Sequence, residues 1–391
     1  MPVTFLHTAD WQLGKPFASV EDDDKRALIR QERIKAIERI GLIAEERNAA
    51  FILVAGDLFD SPTASKSTVS AACSNIGQLE IPVIVIPGNH DHGGPGCLWE
   101  QEFFLQEAKR LASNLKILLK AEPLELNDVV IFPCPLPRRH ESSDPTSWLR
   151  DIDNAALKDF DDNPRIDLAH GSIQGFDSSG DEEDGIAGAP NLIDLDLLSA
   201  DSFDYIALGD WHGTKEVGGN AWYSGTPEID RFPKGWTNEP GNVLLVTADR
   251  GESLLVETIR SNRLGWHQFD FEFASDDDLD TLDRAVADLI GNRASSDLLR
   301  LSLRGSLGLE ATTQLESLLD SYTARLLRLK LANQTLLAPT EEEIEALTRR
   351  SEDPLIAMVA GKLVELADGS DEEAAVARVA LRELHAVCTK I

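Results

Sequence analysis

Cysteine is scarce in this chain, and long apolar runs are missing. The 391 residues include four scattered cysteines, and none of them forms a Cys-x-x-Cys pair: Cys73, Cys97, Cys134 and Cys388. This spacing argues against a zinc ribbon and a disulfide framework, so we predict small buried residues in a reducing compartment. No apolar run approaches the ~20 residues of a membrane helix, and the N-terminus lacks the basic start of a signal peptide. We therefore expect a cytoplasmic protein without membrane contact.

Basic residues are few relative to acidic ones. Lys and Arg total 37 against 68 for Asp and Glu, and the formal net charge is −31. Such a charge disfavours binding of nucleic acid over the whole surface, because phosphate contacts depend on Lys and Arg. Any contact with nucleic acid must be local, metal-assisted or helped by a partner. Four basic residues in loops after predicted strands either contact a DNA backbone or are solvated charges: Arg138, Arg139, Arg231 and Lys234.

The first two thirds of the chain have the pattern of an α/β fold. Short β-rich runs alternate with amphipathic ones, which predicts sheets with helices packed on their faces. Predicted strands cover residues 3–9, 51–56, 81–88, 116–119, 129–133, 166–170, 205–209, 243–248 and 254–259, of which the last two are antiparallel. Predicted helices cover residues 24–48, with Asp24 as the N-cap, and residues 63–79.

The pattern changes beyond residue 263. Residues 266–273 and 298–303 are strand-like and residues 278–290 and 309–327 are helical, which predicts a small α+β module. The last fifty or so residues are predicted to be helical, with capping boxes that begin at Thr340 and Ser370 and with Asp353 as a cap before Pro354. We therefore predict three domains, over residues 1–263, 264–338 and 339–391.

Five predicted strands end in residues that can bind a metal ion. The segments are TADWQ with Asp10 and Gln12, VAGDLFD with Asp57, PGNHDH with Asn89 and His90, LAHG with His170, and ALGDWHG with Asp210 and His212. Because ligands gather at the carboxyl ends of strands in α/β sheets, we expect these side chains to converge. Asp57 follows a tight Gly-Asp turn and is the expected bridge between two divalent cations, which can activate a water for attack on a phosphodiester.

These segments resemble the motifs of the calcineurin-like metallophosphoesterases, and within them the nuclease subunits of SbcD type that work with an SMC-like ATPase. The order Asp-x-(His), Gly-Asp, Gly-Asn-His-Asp, His, Gly-(His)-x-His is matched within about residues 1–260, and GDLFD and GNHD are its most specific blocks. The resemblance implies a four-layer sandwich, in which two sheets are flanked by helices, with a small α+β capping domain. It also implies a helical C-terminal segment that docks onto the ATPase, although these helices alternatively complete a bundle.

The resemblance also implies a role for each site residue. The first metal would be held by Asp10, the residue at position 12, Asp57 and His212, and the second by Asp57, Asn89, His170 and the residue at position 210. His90 would be the catalytic histidine, which contacts the scissile phosphate and assists the leaving group without binding metal. Asp91 is expected to orient the ring of His90 by hydrogen bonding.

Two positions depart from the family's pattern. Gln12 stands where the family usually has histidine, and Asp210 where it usually has the first histidine of Gly-His-x-His. Gln12 either binds a hard metal through its amide oxygen, or bonds to the backbone or holds a water. Asp210 either binds metal, which is the favoured interpretation, or orients His212. The site is therefore rich in oxygen, and we predict two divalent ions, Mn²⁺ in preference to Zn²⁺, with Mg²⁺ as the alternative.

Together with this resemblance, the pattern implies a metal-dependent DNA exonuclease with some endonuclease activity, expected to act in DNA repair with the ATPase. Two alternatives stay open, a phosphoesterase for small phosphoesters and a weakly active scaffold that binds DNA ends. Strand preference and the formation of a homodimer are left open by the sequence. His7 and His92 are expected at the rim of the site or beside its ligands. The acidic run at residues 177–184 is either a flexible loop or a screen at the site entrance.

Overall fold

A computed structural model describes residues 2–126, 128–150, 152, 162–173, 191–198, 202–232, 239–291, 293–369 and 371–388. Three predicted features lie outside these residues: the acidic run at residues 177–184, Lys234 and the start of the second capping box at Ser370. The chain divides into two units, Met1–Leu264 and Gly265–Ile391. A further boundary near residue 338 stays a prediction.

Two six-stranded sheets build the first unit. Its strands are β1 (Val3–Thr8), β2 (Ile52–Ala55), β3 (Val83–Ile86), β4 (Leu115–Ile117), β5 (Leu124–Leu126), β6 (Val129–Cys134), β7 (Arg165–His170), β8 (Ser172–Ile173), β9 (Leu192–Ile193), β10 (Tyr205–Gly209), β11 (Lys215–Gly218), β12 (Ala221–Tyr223), β13 (Asn242–Ala248) and β14 (Leu255–Arg260). The first sheet has the order β14-β13-β1-β2-β3-β4, with β1 to β4 parallel and β13 and β14 antiparallel, as predicted. The second has the order β11-β12-β10-β7-β6-β5, with its four central strands parallel. Strands β8 and β9 pair separately.

The sheets pack face to face, with three helices on the outer face of the first sheet. These are α1 (Asp23–Glu46), α2 (Lys66–Ile76) and α3 (Glu102–Leu111). Successive residues of a strand point to opposite faces, so Leu6 packs toward the helices while Phe5 packs between the sheets. Apolar residues on the far face of the second sheet, such as Phe132, pack with Leu149 of the short 3-10 helix Ser147–Arg150 and with Phe203. The predicted α/β class, with sheets flanked by helices, is confirmed.

Helix boundaries follow capping and periodicity. The side chain of Asp22 accepts hydrogen bonds from the backbone N–H groups of Asp24 and Lys25, so the cap of α1 lies two residues before the predicted Asp24. Ser65 caps α2, which therefore begins later than predicted. Helix α3 was absent from the prediction, although Phe104, Ala108 and Leu111 recur at helical spacing and pack on the core.

The second unit combines a parallel sheet with five helices in its described residues. Its strands are β15 (Gly265–Phe273), β16 (Asp297–Leu307), β17 (Arg328–Asn333) and β18 (Leu336–Leu337), and its helices are α4 (Asp278–Ile290), α5 (Leu309–Arg325), α6 (Glu341–Thr348), α7 (Pro354–Ala367) and α8 (Glu372–Cys388). Strands β15, β16 and β17 are parallel neighbours, and apolar residues of α4 and α5 pack on them. Strand β17 is an addition to the prediction.

The C-terminal helices begin where the sequence predicted. Thr340 and Glu343 form a capping box at the start of α6, and Pro354 is the first residue of α7. Asp353 takes the N-cap position of α7, although within the described chain its carboxylate forms no capping bond. Glu343 also accepts hydrogen bonds from the backbone N–H groups of Leu309 and Glu310, at the start of α5. The helices α5 and α6 are thus joined at their N-termini.

Two predictions from composition can be compared with the structure. All four cysteines are buried and unpaired, as predicted. Among the described residues, no helix combines the length and the apolar character needed to cross a bilayer.

Candidate metal centre

Side chains at the ends of several strands come together at one edge of the two sheets. Ligand atoms of Asp10, Asp57 and His170 lie within 4.8 Å of one another, and all three side chains are buried. Asp210 lies at the border of this group, with Oδ1 3.8 Å from His170 Nε2. These residues follow β1, β2 and β10 or end β7, so the group forms where parallel strands end.

The turns that carry these side chains have an unusual backbone. Four site residues have positive φ angles: Asp10 (53°), Gln12 (42°), Asp57 (55°) and Asp210 (101°). Residues other than glycine rarely adopt this conformation, and it clusters at functional sites. Backbone hydrogen bonds lock the turns together, because Asp10 N donates to Gly56 O (3.1 Å) and Gln12 N donates to Asp57 O (2.9 Å). The strained conformations thus position the side chains of the site.

Glycines allow these strand ends to approach closely. A Cβ atom at Gly56 would lie 2.1 Å from His170 Nδ1, and one at Gly88 would lie 2.2 Å from Asp57 Oδ1. Either side chain would displace a residue of the group. Both glycines are therefore required by packing, and Gly56 is also required by its φ of 89°.

His170 presents a single ring nitrogen to the group. Its Nδ1 lies 2.7 Å from the carbonyl oxygen of Ala55, which only accepts, so Nδ1 carries the hydrogen and Nε2 faces Asp57 Oδ1 at 3.7 Å. Burial by itself lowers the pKa of His170, but the charges of Asp57, Asp10 and Asp210 outweigh it and raise the pKa to about 9. The ring is thus oriented as a metal-binding histidine would be.

The acidic side chains are enclosed without enough positive charge. Burial, together with the charges of Asp57 and Asp210, raises the pKa of Asp10 well above its usual range. Three buried atoms at the group have no hydrogen-bond partner among the described residues: Asp10 Oδ1, Asn89 Oδ1 and His170 Nε2. Buried groups of this kind are normally paired or bind metal. The carboxylates, the amide oxygen and the imidazole fit a divalent ion.

Two of the four residues that the resemblance assigns to the first metal, Gln12 and His212, already have hydrogen-bond partners. Gln12 Oε1 accepts a hydrogen bond from Lys15 Nζ (2.8 Å), and Gln12 Nε2 lies 3.2 Å from His212 Nε2. An ammonium group only donates, so the oxygen of Gln12 must face Lys15 and its NH₂ group must face His212. As they are placed, Gln12 and His212 do not fit a second divalent ion.

Hydrogen bonds to Asp230 and Gln12 orient the ring of His212. Its Nδ1 lies 3.0 Å from Asp230 Oδ1, so it donates to this carboxylate, and its Nε2 accepts from Gln12 and lies 3.1 Å from Arg231 Nη2. Burial, together with the charge of Arg231, lowers the pKa of His212. Asp210 does not serve as the partner that orients this ring; its Oδ2 accepts from Ser172 Oγ (2.7 Å).

The prediction that Asp91 orients His90 is wrong. His90 Nδ1 lies 2.9 Å from the carbonyl oxygen of Asp60. The carboxylate of Asp91 accepts instead from the backbone N–H groups of Phe59 (3.0 Å) and Gly88 (2.8 Å). The turn after β3 directs the two neighbouring side chains to opposite sides. Asp91 therefore fixes the GDLFD and GNHD turns to each other, while a backbone carbonyl fixes the ring.

His7 was also predicted in the wrong place. The expectation was the rim of the site, but His7 is buried between the sheets with Nδ1 2.8 Å from Tyr205 Oη. The reason is the alternation of β1, in which His7 points to the same face as Phe5. Burial lowers the pKa of His7 to about 3, although a backbone hydrogen bond opposes the effect.

Four residues near the centre were not identified from the sequence: Lys15, Arg33, Asp60 and Asp230. A signal existed for Arg33, because it lies between Ile29 and Ile37 at helical spacing on the buried face of α1. A charged residue within a buried stripe normally has specific partners. For Lys15 and Asp230 we find no comparable signal in the sequence.

Known proteins are similar to part of this chain. The SbcD subunit of the nuclease SbcCD from Staphylococcus epidermidis is 27% identical over 224 residues, which are 53% of this chain and 56% of that protein. The match therefore spans about half the length of the curated relative. Two solved structures, TT1561 of Thermus thermophilus and a dimetal phosphatase from Danio rerio, have TM-scores of 0.40 and 0.39, identities of 16% and 13%, and cover 66% of this chain and 100% and 99% of their own. The family profile described as calcineurin-like phosphoesterase matches residues 3–235, more than half of the sequence. The chain belongs to the calcineurin-like phosphoesterase family.

Proposed function

We propose that the chain hydrolyses phosphodiester bonds in DNA with a divalent metal ion, as an exonuclease with some endonuclease activity. The observation that carries the proposal is the convergence of Asp10, Asp57 and His170. Three buried atoms there could bind a metal ion and have no hydrogen-bond partner among the described residues: Asp10 Oδ1, Asn89 Oδ1 and His170 Nε2. Family membership supports phosphoester hydrolysis. The similarity to a nuclease subunit supports DNA as the substrate, over about half the length of that protein.

Five residues would hold the ion: Asp10, Asp57, Asn89, His170 and Asp210. When bound, a divalent ion supplies positive charge to the non-bridging phosphate oxygens and increases the acidity of a water. Mn²⁺ is our proposal and Mg²⁺ the alternative, because carboxylate and amide oxygens outnumber the single imidazole. The hydrogen bond from His170 Nδ1 to the carbonyl oxygen of Ala55 (2.7 Å) keeps Nε2 directed at Asp57.

His90 is the proposed catalytic residue. Its Nδ1–H donates to the carbonyl oxygen of Asp60, so Nε2 is the atom that faces the group, 4.0 Å from Asp57 Oδ2. The side chain is 25% exposed, which leaves room for a phosphodiester beside it. We assign to Nε2 the transfer of a proton to the departing sugar oxygen. Asp91 is proposed as a positioning residue that holds the two turns.

The cellular setting is part of the same proposal. We propose a cytoplasmic DNA-repair role with an SMC-like ATPase, for which the relative's name as a nuclease subunit is the support. Helix α7 presents Leu355, Met358 and Val359 to solvent, which suits a helical partner. Docking of this helix onto the ATPase stays a prediction.

Digestion of end-labelled duplex DNA tests the proposal. With Mn²⁺ the wild type should cleave, and His90→Ala should lower the rate at least about 100-fold while calorimetry shows unchanged Mn²⁺ affinity. His140→Ala is the matched control, because His140 is exposed and belongs to no motif. Activity confined to small phosphoesters would support that alternative instead. No cleavage with any divalent metal would support the scaffold, and better turnover with Zn²⁺ than with Mn²⁺ would refute the choice of metal.

A further inference from the structure

Lys15 lies against Gln12, one of the four residues that the resemblance assigns to the first metal. Its Nζ is 2.8 Å from Gln12 Oε1, 3.0 Å from Asp230 Oδ2 and 3.7 Å from Asp60 Oδ1. The side chain is 22% exposed, so its ammonium group is largely enclosed by these three oxygen donors. The same amide and carboxylate oxygens could bind a metal cation if the ammonium group were absent.

The neighbouring atoms leave little room for a second positive ion. The lone pair of His212 Nε2 faces the NH₂ group of Gln12 at 3.2 Å, and Arg231 Nη2 lies beside the ring, 3.2 Å from Nδ1 and 3.1 Å from Nε2. Both are hydrogen-bond donors, so a cation at this nitrogen would have to displace them. The carboxylates on this side are already paired with cations of the chain: Lys15 Nζ lies 3.0 Å from Asp230 Oδ2 and 3.7 Å from Asp60 Oδ1, and Arg231 Nε lies 3.5 Å from Asp230 Oδ1. These ion pairs offset the negative charge that would otherwise attract a divalent ion.

The side of the centre formed by Asp10, Asn89 and His170 differs in its hydrogen bonding from the side formed by Gln12 and His212. Asp10 Oδ1, Asn89 Oδ1 and His170 Nε2 are buried without a partner among the described residues. Gln12 and His212 have the bonds described above, to Lys15, Asp230 and Arg231. One half of the centre thus has donors available for an ion, and the other half contains cations that belong to the chain.

We propose that this chain binds one divalent ion, and that the ammonium group of Lys15 supplies the positive charge that the family pattern assigns to a second. The inference rests on the proposed function only in requiring one ion at Asp10, Asp57, Asn89, His170 and Asp210. Gln12 is then a positioning residue, which accepts from Lys15 and donates to His212. Arg231 stands beside it with a planar guanidinium suited to phosphate oxygens.

The substitution of histidine by Gln12 has a physical reason in this arrangement. A protonated histidine at position 12 would present two donors and could not accept from Lys15, and a neutral one would hold its single acceptor and single donor on a rigid ring. An amide satisfies both neighbours at once, since its oxygen accepts from Lys15 while its nitrogen donates to His212. Glutamine at position 12 and lysine at position 15 therefore act as a pair.

Metal stoichiometry tests the inference without reference to activity. Full-length protein would be loaded with Mn²⁺, desalted and analysed for bound manganese, and its electron paramagnetic resonance spectrum would be recorded. The wild type should bind one ion with the six-line spectrum of an isolated Mn²⁺. The double variant Gln12→His/Lys15→Met should bind twice as much manganese, with the broadened spectrum of a coupled pair. Lys35→Met is the control, because Lys35 pairs with Glu32 on α1 and lies outside the centre.

Each outcome bears on the inference. Two ions or a coupled spectrum in the wild type would overturn it, and so would a folded double variant that still binds one ion. If circular dichroism shows that the double variant is unfolded, the milder Lys15→Gln in the Gln12→His background replaces it and should show the same doubling. A wild type that binds no ion would contradict the proposed function as well, whereas two ions would contradict this inference alone.

Discussion

Arg33 is the residue that ties the Asp10 turn to the rest of the first unit. It is buried, and its guanidinium donates to the carbonyl oxygens of Asp10 (3.1 Å), Trp11 (2.6 Å and 2.9 Å) and Glu228 (2.7 Å). These carbonyls belong to two loops that lie about two hundred residues apart in the sequence. The geometry of Asp10 therefore depends on a side chain from α1.

Replacing Arg33 should cost both stability and metal affinity. Arg33→Met removes the hydrogen bonds that the guanidinium donates to three buried carbonyls, of which those of Asp10 and Glu228 also lie within hydrogen-bond distance of Thr226 Oγ1 (2.8 Å and 2.9 Å). Each hydrogen bond to a charged group contributes about 1.5–3 kcal/mol. We expect the free energy of unfolding, measured by urea titration, to fall by at least about 3 kcal/mol, with weaker Mn²⁺ binding. Arg30→Met, at an exposed position on the same helix, should stay within about 0.5 kcal/mol of the wild type. Equal stability of the two variants would contradict this role.

At the residue scale, the sequence identified side chains by motif but not their orientations. Asp10, Asp57 and His170 were predicted as ligands, and the structure brings their ligand atoms together. Which way Gln12 faces depends on Lys15 and His212, and His212 is two hundred residues away. Hydrogen bonds between such distant positions leave no periodic pattern in a sequence. Orientation therefore had to come from the structure.

At the scale of elements, the buried parallel strands were predicted better than the short, partly exposed strands. Buried parallel strands are continuous apolar runs, so β2, β3 and β10 lie within the predicted ranges. Several strands were missing from the prediction, including the short β8, β9, β11 and β12. Runs of two to four residues that are partly exposed carry too weak a pattern to be distinguished from loops. These elements depend on the sheet beside them.

Strand β7 contains a buried acid whose ionisation should oppose folding. Asp167 lies three residues before His170, and its Oδ1 is 3.4 Å from the Cys134 thiol. Burial raises the pKa of Asp167 from 3.8 to about 7. Between these values the folded protein keeps a proton that the unfolded chain releases. Stability should therefore fall as the pH rises from about 4 to about 7, and the penalty should be complete above that range.

Asp167→Asn should remove this dependence. One pKa unit corresponds to about 1.4 kcal/mol, so the stability of the variant relative to the wild type should rise by about 3 kcal/mol between pH 5 and pH 8. Urea titrations at the two pH values measure the difference. Asp162→Asn, at an exposed position just before the strand, is the control and should show no such trend. A constant difference between Asp167→Asn and the wild type would mean that Asp167 does not titrate in this range.

For the whole molecule, charge decides how DNA can be approached. The formal net charge of −31 repels a polyanion, whereas the proposed centre combines one divalent ion with Lys15 and Arg231. Phosphate contacts should therefore be few and concentrated at this centre. The metal ion would then be needed for binding as well as for chemistry.

DNA affinity should accordingly depend on Mn²⁺ and only weakly on salt. With His90→Ala, which should bind without cleaving, fluorescence anisotropy should give at least about tenfold tighter binding with Mn²⁺ than with a chelator. The slope of log K against log salt should correspond to about two or three phosphate contacts. Equal affinity with and without Mn²⁺, or a slope of several more contacts, would locate the DNA-binding surface elsewhere.

The three predicted domains stay a prediction; the two units of the structure meet between Leu264 and Gly265, near the residue at which the sequence pattern changes. Within the second unit, Leu309 of α5 packs with Leu347, Ala360 and Leu381 of the C-terminal helices. Such contacts between segments far apart in the sequence depend on three-dimensional packing, and apolar spacing within one helix cannot reveal them.

Glu343 couples the folding of α5 to that of α6. One carboxylate accepts from Thr340 at the start of α6 and from Leu309 and Glu310 at the start of α5. If α6 detaches, α5 loses its cap together with an apolar contact, and the reverse also holds. The free energies of the two helices are therefore coupled, so the C-terminal helices should unfold cooperatively with α5 rather than fray from the end of the chain.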